Sequence, residues 1–223
     1  MNLQEAYSAE NFRQEAHKLV DTLADYLNAV QSQQLEIVIP YQSPEENLRF
    51  WQEDLAKGIG DPITLFKEII SQSNHLHHPH YMGHQVSPPL PIAALAGLLT
   101  GMLNNGMAVY EMGLVSNPLE RILSDLLASK IGFDENSSGL LTSGGTLANL
   151  TALLAARATK APTDVWEQGT NERLAVMVSE EAHYCIDRAA RIMGLGKEGI
   201  IKIPTNDRFQ MRTALLEEYY LKA

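Results

Sequence analysis

Apolar positions return every three or four residues from Phe12 through Ala16, Leu19, Val20, Leu23, Tyr26 and Leu27 to Val30, and predict an amphipathic helix over 9–31. Such a helix must lay its apolar stripe on its own domain or on a partner. A proline-bounded extended connector follows at 37–44, then helices at 45–57 and 62–73. The break Gly58-Ile59-Gly60-Asp61-Pro62 separates them, with Pro62 at the first helical position and Asp61 as N-cap. Residues 75–91, rich in His and Pro, read as irregular. A buried Ala-, Leu- and Gly-rich helix is expected over 91–107. Asn117-Pro118-Leu119-Glu120 opens another, with Ile122, Leu123, Leu126, Leu127 and Ile131 on its apolar side.

From Gly139 the period shortens. Strands are predicted at 139–142, 174–179 and 199–203, helices at 147–159, 184–193 and 208–222, and a surface loop at 160–172. Alternating β and α elements imply parallel βαβ units with helices on the sheet faces, an α/β fold. The last helix should feed a further strand, so the chain reads as cut short.

Composition narrows the picture. A net charge of −10 opposes binding to nucleic acid or to anionic membranes, which needs clustered Lys and Arg. No apolar run is long enough to span a bilayer, and the polar stretch Met1 to Glu10 is unlike a secretory signal. A single cysteine, Cys185, excludes an internal disulfide and suits a reducing cytoplasm.

Three places could carry chemistry. Ser143-Gly144-Gly145-Thr146 precedes a helix, where unpaired amides, the helix dipole and hydroxyl donors would cradle a phosphate. The same residues also suit a plain glycine turn with a Ser/Thr cap. The segment is neither a nucleotide P-loop nor a nucleophile elbow, since no Lys-Ser/Thr follows and no glycine stands two before the serine. His183 falls just past the carboxyl end of a predicted strand, where open parallel sheets bind ligands, although a capping or packing histidine would also fit. His75, His77, His78, His80 and His84 crowd one segment. Their spacing matches no helical ligand pair or zinc finger, and no Cys or acidic residue lies among them, so a cleft-lining loop is expected and a metal site is not.

Read in order, His78-Pro79-His80-Tyr81-Met82-Gly83-His84, Val115-Ser116-Asn117-Pro118-Leu119-Glu120, Thr142-Ser143-Gly144-Gly145-Thr146-Leu147-Ala148-Asn149 and Ala182-His183-Tyr184 resemble the group II pyridoxal-phosphate-dependent amino-acid decarboxylases. That family acts on glutamate, aromatic amino acids, diaminobutyrate, cysteine sulfinate and related substrates. The likeness runs over residues 9–223. It implies part of the large domain of a type I pyridoxal-phosphate-dependent transferase (aspartate aminotransferase-like) over 88–223, preceded by a helical segment and cleft-lining loop over 1–87. It implies pyridoxal 5'-phosphate as cofactor, with Ser143, Gly144, Gly145 and Thr146 receiving the phosphate and His183 stacking on the ring. His80 and Tyr81 would line the substrate side of the cleft. Residues 9–31 would pack across a homodimer, and the substrate would be an amino acid.

The resemblance also marks a departure. The family's Schiff-base lysine and the aspartate that keeps the pyridine nitrogen protonated are expected beyond Ala223. The lysines present stand in no His-Lys pair, and Asp187 reads as a helix-surface or capping residue. No catalytic residue is therefore assigned, and the chain alone should be inactive. Two other readings stay open: a non-catalytic fragment that pairs with a full-length or C-terminal partner, and another type I enzyme such as an aminotransferase or β-eliminating lyase.

Overall fold

The computed structural model describes residues 3–58, 60–170 and 173–222. Ile59 of the expected break between two helices and residues 171–172 of the expected loop lie outside them. The chain divides into two compact units, 1–104 and 105–223.

In the first unit, a short helix α1 (Leu3–Ala6) precedes α2 (Ala9–Gln31). Ser8 starts α2 by accepting the Asn11 N–H on its hydroxyl. α3 (Pro44–Ala56) begins with a capping box. Ser43 and Glu46 satisfy each other's backbone amides, and Pro44 sits in the first turn. α4 (Pro62–Ser71) starts after Asp61 as expected. The Asp61 carboxylate, however, takes the Thr64 hydroxyl and not a backbone amide. Val30 of α2 and Ile63 of α4 are the buried apolar residues among those described here, and α2 packs against α4.

α5 (Pro91–Leu103) ends at Asn104, whose φ of 47° is left-handed. It stops earlier than the pattern predicts, and it is not buried: Leu95, Leu98, Leu99, Met102 and Leu103 are all exposed. Its composition reads as a core helix because apolar residues occur all round it. Within its own unit it meets too little apolar surface to be covered.

In the second unit a single 3₁₀ turn at Tyr110–Met112 leads to α6 (Ser116–Lys130), α7 (Gly145–Lys160) and a four-residue helix α8 (Val165–Gln168) inside the expected loop. The unit then runs β1 (Val176–Ser179), α9 (Cys185–Ile192) and β2 (Ile200–Ile203). β1 and β2 pair in parallel, Val176 opposite Ile200 and Ser179 opposite Ile203, so β1–α9–β2 is the expected βαβ unit. A left-handed Gly194 ends α9 with the paired bonds Gly194 N–H to Arg191 and Leu195 N–H to Ala190. Cys185, Ala189, Ala190 and Met193 on α9 and Ile203 on β2 form the buried core. α9 packs against α7.

Two further expectations are corrected. Residues 139–142 form no strand, having no ladder partner among the described residues. Their Leu141 N–H goes instead to Glu120 Oε1 at 2.8 Å. Residues 208–222 are not one helix. Asn206 Oδ1 accepts the Arg208 and Gln210 amides, Phe209 turns left-handed, and Thr205 bridges Met211. Helical structure resumes with a 3₁₀ turn at Thr213–Leu215 and α10 (Leu216–Lys222). An asparagine that satisfies amides two and four residues ahead stabilises a turn more than a helix. No helix among the described residues is long and apolar enough to cross a membrane.

Candidate functional site

α7 is where a phosphate-binding site would have to form. Gly144 occupies its N-cap with extended backbone, and no side chain caps the helix. Thr142 Oγ1 donates to the Gly144 carbonyl, which also accepts the Leu147 and Ala148 amides. The carbonyl end of the turn is thus fixed, while the first-turn amides point away from it. A Cβ placed on Gly144 or on Gly145 would meet nothing within 4 Å. The space beside both glycines is therefore open, and Ser143 and Thr146 are exposed. The helix dipole adds positive potential at this end.

His183 sits in the loop between β1 and α9, at the carboxyl end of the sheet. Its Nδ1 accepts the Cys185 N–H at 3.2 Å, which leaves Nε2 to carry the proton of a neutral ring. The ring is exposed and lies 4.1 Å, centroid to centroid, from Tyr184, tilted by 36°. The Arg188 guanidinium covers the Tyr184 ring at 4.9 Å. A flat, exposed imidazole held by one backbone bond is suited to stacking on an aromatic ligand.

The α7–α9 packing ties the helix that starts at Gly145 to the helix that follows His183. Asn149 Nδ2 donates to Cys185 Sγ at 3.2 Å, and Arg157 donates to the Met193 carbonyl at the far end of the same contact. The sequence reading named Asn149 and Cys185 but gave neither a place in the site. The available signal was Asn149 standing four residues after Gly145, on the same helix face.

The loop beyond β1 is anchored too. Glu180 accepts the Thr205 N–H at 2.6 Å and its hydroxyl at 2.9 Å. These bonds, the backbone one first in effect, hold the Glu180 carboxyl below the usual carboxylate range. Asp187, on α9, pairs with Lys202 of β2 at 2.8 Å. That contact accounts for both side chains as a tie between helix and strand.

His80 and Tyr81 belong to the first unit. The Tyr81 N–H donates to the His78 carbonyl, and the His80 N–H to His78 Nδ1. Tyr81, Gly83 and His84 line a pocket of about 750 Å³ together with Tyr41, Gln42 and Asn47. A Cβ on Gly83 would run into the end of the Tyr81 ring, so a larger residue there would make that ring shift.

The histidine-rich segment separates into two kinds of residue. His75 and His78 are buried. His75 Nδ1 meets the Tyr26 hydroxyl at 3.1 Å, and His78 Nε2 donates to the Leu35 carbonyl at 3.1 Å. Burial, and then the nearby His78, push the His75 imidazole below its ordinary value. No group of three His, Cys, Asp or Glu placed to hold a metal occurs among the described residues.

Residues 45–223 match the pyridoxal-dependent decarboxylase conserved domain. The chain is 28% identical over 215 residues to an aromatic-L-amino-acid decarboxylase of Bacillus atrophaeus, covering 95% of this chain and 43% of that protein. It is 29% identical over 215 residues to a glutamate decarboxylase of Drosophila melanogaster, covering 92% and 41%. Among solved structures, the Oryza sativa TDC with PLP and tryptamine superposes with a TM-score of 0.78 at 20% identity, over 97% of this chain and 46% of that one. The glutamate decarboxylase domain of the Vibrio parahaemolyticus diaminobutyrate enzyme gives 0.77 at 19%, over 100% and 49%. The chain thus spans less than half the length of each of these four proteins.

Proposed function

The chain belongs to the pyridoxal-dependent decarboxylase family, and from that premise we propose that it supplies the phosphate-holding and ring-stacking part of an enzyme that removes the α-carboxylate of an L-amino acid. Its architecture is part of the type I pyridoxal-phosphate fold. The observation that carries the reading is the uncapped, glycine-lined start of α7, tied through α9 to an exposed histidine at the sheet's carboxyl edge.

The residues present suit pyridoxal phosphate. The amides at the start of α7, with the Ser143 and Thr146 hydroxyls, would take the phosphate. His183 would hold the ring of the cofactor against its flat face. The bound cofactor supplies an electron sink for the pair left when CO2 departs. His80 and Tyr81 would face the amino-acid side chain. Residues 1–87 would form the helical, cleft-lining portion and 88–223 the start of the cofactor domain. The complete enzyme would be a cytoplasmic homodimer.

The chain by itself would hold the cofactor without turning it over. Lys202, the lysine on a sheet strand, is committed to Asp187. A non-catalytic role, in which the chain pairs with a longer or complementary partner, is favoured to the extent that α5 and α6 leave apolar residues exposed.

The test is a titration of the purified chain with pyridoxal phosphate, read by absorbance, with inorganic phosphate as competitor and borohydride to fix any lysine adduct. Binding displaced by phosphate, with no fixed lysine, is expected. A cofactor that fails to bind would remove the cradle reading. A lysine fixed in stoichiometric yield would make this chain a catalyst in its own right.

A further inference from the structure

The cradle and His183 must keep a fixed separation if one rigid ligand is to touch both. We infer that Asn149 and Cys185 are a positioning pair that sets that separation and fixes the ring proton of His183. The inference rests on the cofactor reading given above.

Two hydrogen bonds in series connect the two parts. Asn149 lies one turn into α7, directly above Gly145. Its amide donates to Cys185 Sγ at 3.2 Å. Cys185 begins α9, and its own N–H donates to His183 Nδ1 at 3.2 Å. Any slide of α7 along α9 that breaks the first bond shifts the residue that makes the second. Loss of the second frees the imidazole to rotate and to exchange its proton between nitrogens.

A packing role alone explains this poorly. Cys185 is 2% exposed and would fill its place as a small apolar residue without any partner. Asn149 is exposed, so it adds little to the core. The two helices are also fastened elsewhere, by Arg157 on the Met193 carbonyl. What the Asn149–Cys185 bond adds is register at the end of the interface nearest the cradle.

Inorganic phosphate and pyridoxal phosphate separate the two roles. Phosphate needs only the cradle, whereas the cofactor needs the cradle and His183 in register. In Asn149→Ala, affinity for pyridoxal phosphate should fall about tenfold, the scale of one hydrogen bond's net contribution, with phosphate affinity unchanged. Cys185→Ala should behave alike. Cys185→Ser, which keeps an acceptor, should recover most of the loss. The nitrogen shifts of His183 in the ligand-free chain should show one dominant tautomer in the wild type and a mixture in Asn149→Ala.

Equal losses for both ligands would mean that the variant has damaged the fold, and unchanged affinities with unchanged His183 shifts would mean that the pair positions nothing. Either result overturns the inference while leaving the cofactor reading intact. If the wild-type chain binds neither ligand, the cofactor reading fails. The His183 shifts then decide the positioning claim alone: a mixture in Asn149→Ala upholds it and no change overturns it.

Discussion

Gly144 holds the N-cap of α7 without any side chain, and this separates helix stability from ligand binding at one residue. Aspartate is among the best N-cap residues, and its carboxylate would accept the first-turn amides. In Gly144→Asp the melting temperature should hold or rise, because the gain over glycine is a few tenths of a kcal/mol. The same carboxylate would occupy the anion's place and repel it, so phosphate and pyridoxal phosphate binding should vanish. Calorimetry and the absorbance titration check the two halves; a variant that melts earlier would show that the extended backbone at Gly144 does not tolerate a side chain. The uncapped start of α7 was legible because two glycines directly before a helical pattern advertise an open helix start. The place of His183 after a strand was legible too. The Asn149–Cys185 link was not, since its partners lie 36 residues apart and neither residue type advertises the other. Nor could the sequence divide the crowded histidines, because burial, which is a tertiary property, is what distinguishes His75 and His78 from His80.

At the scale of elements the first three helix starts, expected at 9, 45 and 62, were read well, and the structure shows a local reason: Ser8, Ser43 with Glu46, Pro44 and Pro62 carry their own capping chemistry. Residues 139–142 and the first part of 208–222 were misread because strand status depends on a partner and because Asn206 closes a turn with its side chain. One junction between elements has a pH signature. His75 and His78 fasten the 35–38 connector and α2 to the 75–81 loop, through the Val38 and Leu35 carbonyls and the Tyr26 hydroxyl. His75 is held below its ordinary value of about 6.5 by burial, so the folded chain binds fewer protons than the unfolded chain just below that pH. Stability should be level above about pH 6.5 and fall as pH drops through it towards the lower folded value. Denaturant titrations across pH 5–8 check this in the wild type and in His75→Gln, which should flatten the slope. A slope unchanged by the substitution would place the proton uptake elsewhere.

For the whole molecule, the telling contrast is between a small true core and long apolar surfaces. Ile203 is fully buried, whereas Leu99 on α5 is 60% exposed. Ile203→Ala should cost about 2–5 kcal/mol, the range for emptying a buried aliphatic site. Leu99→Lys should change stability by no more than about 0.5 kcal/mol, as an open surface position does. Equilibrium unfolding in urea measures both. A loss near 2 kcal/mol for Leu99→Lys would mean that α5 is covered in solution by a second molecule. The α/β class and the βαβ unit were legible from the alternation of periods alone. How much of α5 and α6 would be covered was not, because apolar composition says what a helix can bury and nothing about what is present to bury it.

Cys185 is the chain's one cysteine and is shut away between α7 and α9. A thiol reagent can reach it only when that seam parts. Its modification rate is therefore a clock on local opening, needing no label or engineered probe. If the second unit breathes as a whole, the clock will follow denaturant with the full slope of unfolding. If the seam alone flickers, the rate will be nearly independent of denaturant. A ligand that bridges the two helices will slow it, even when it leaves the melting temperature unmoved.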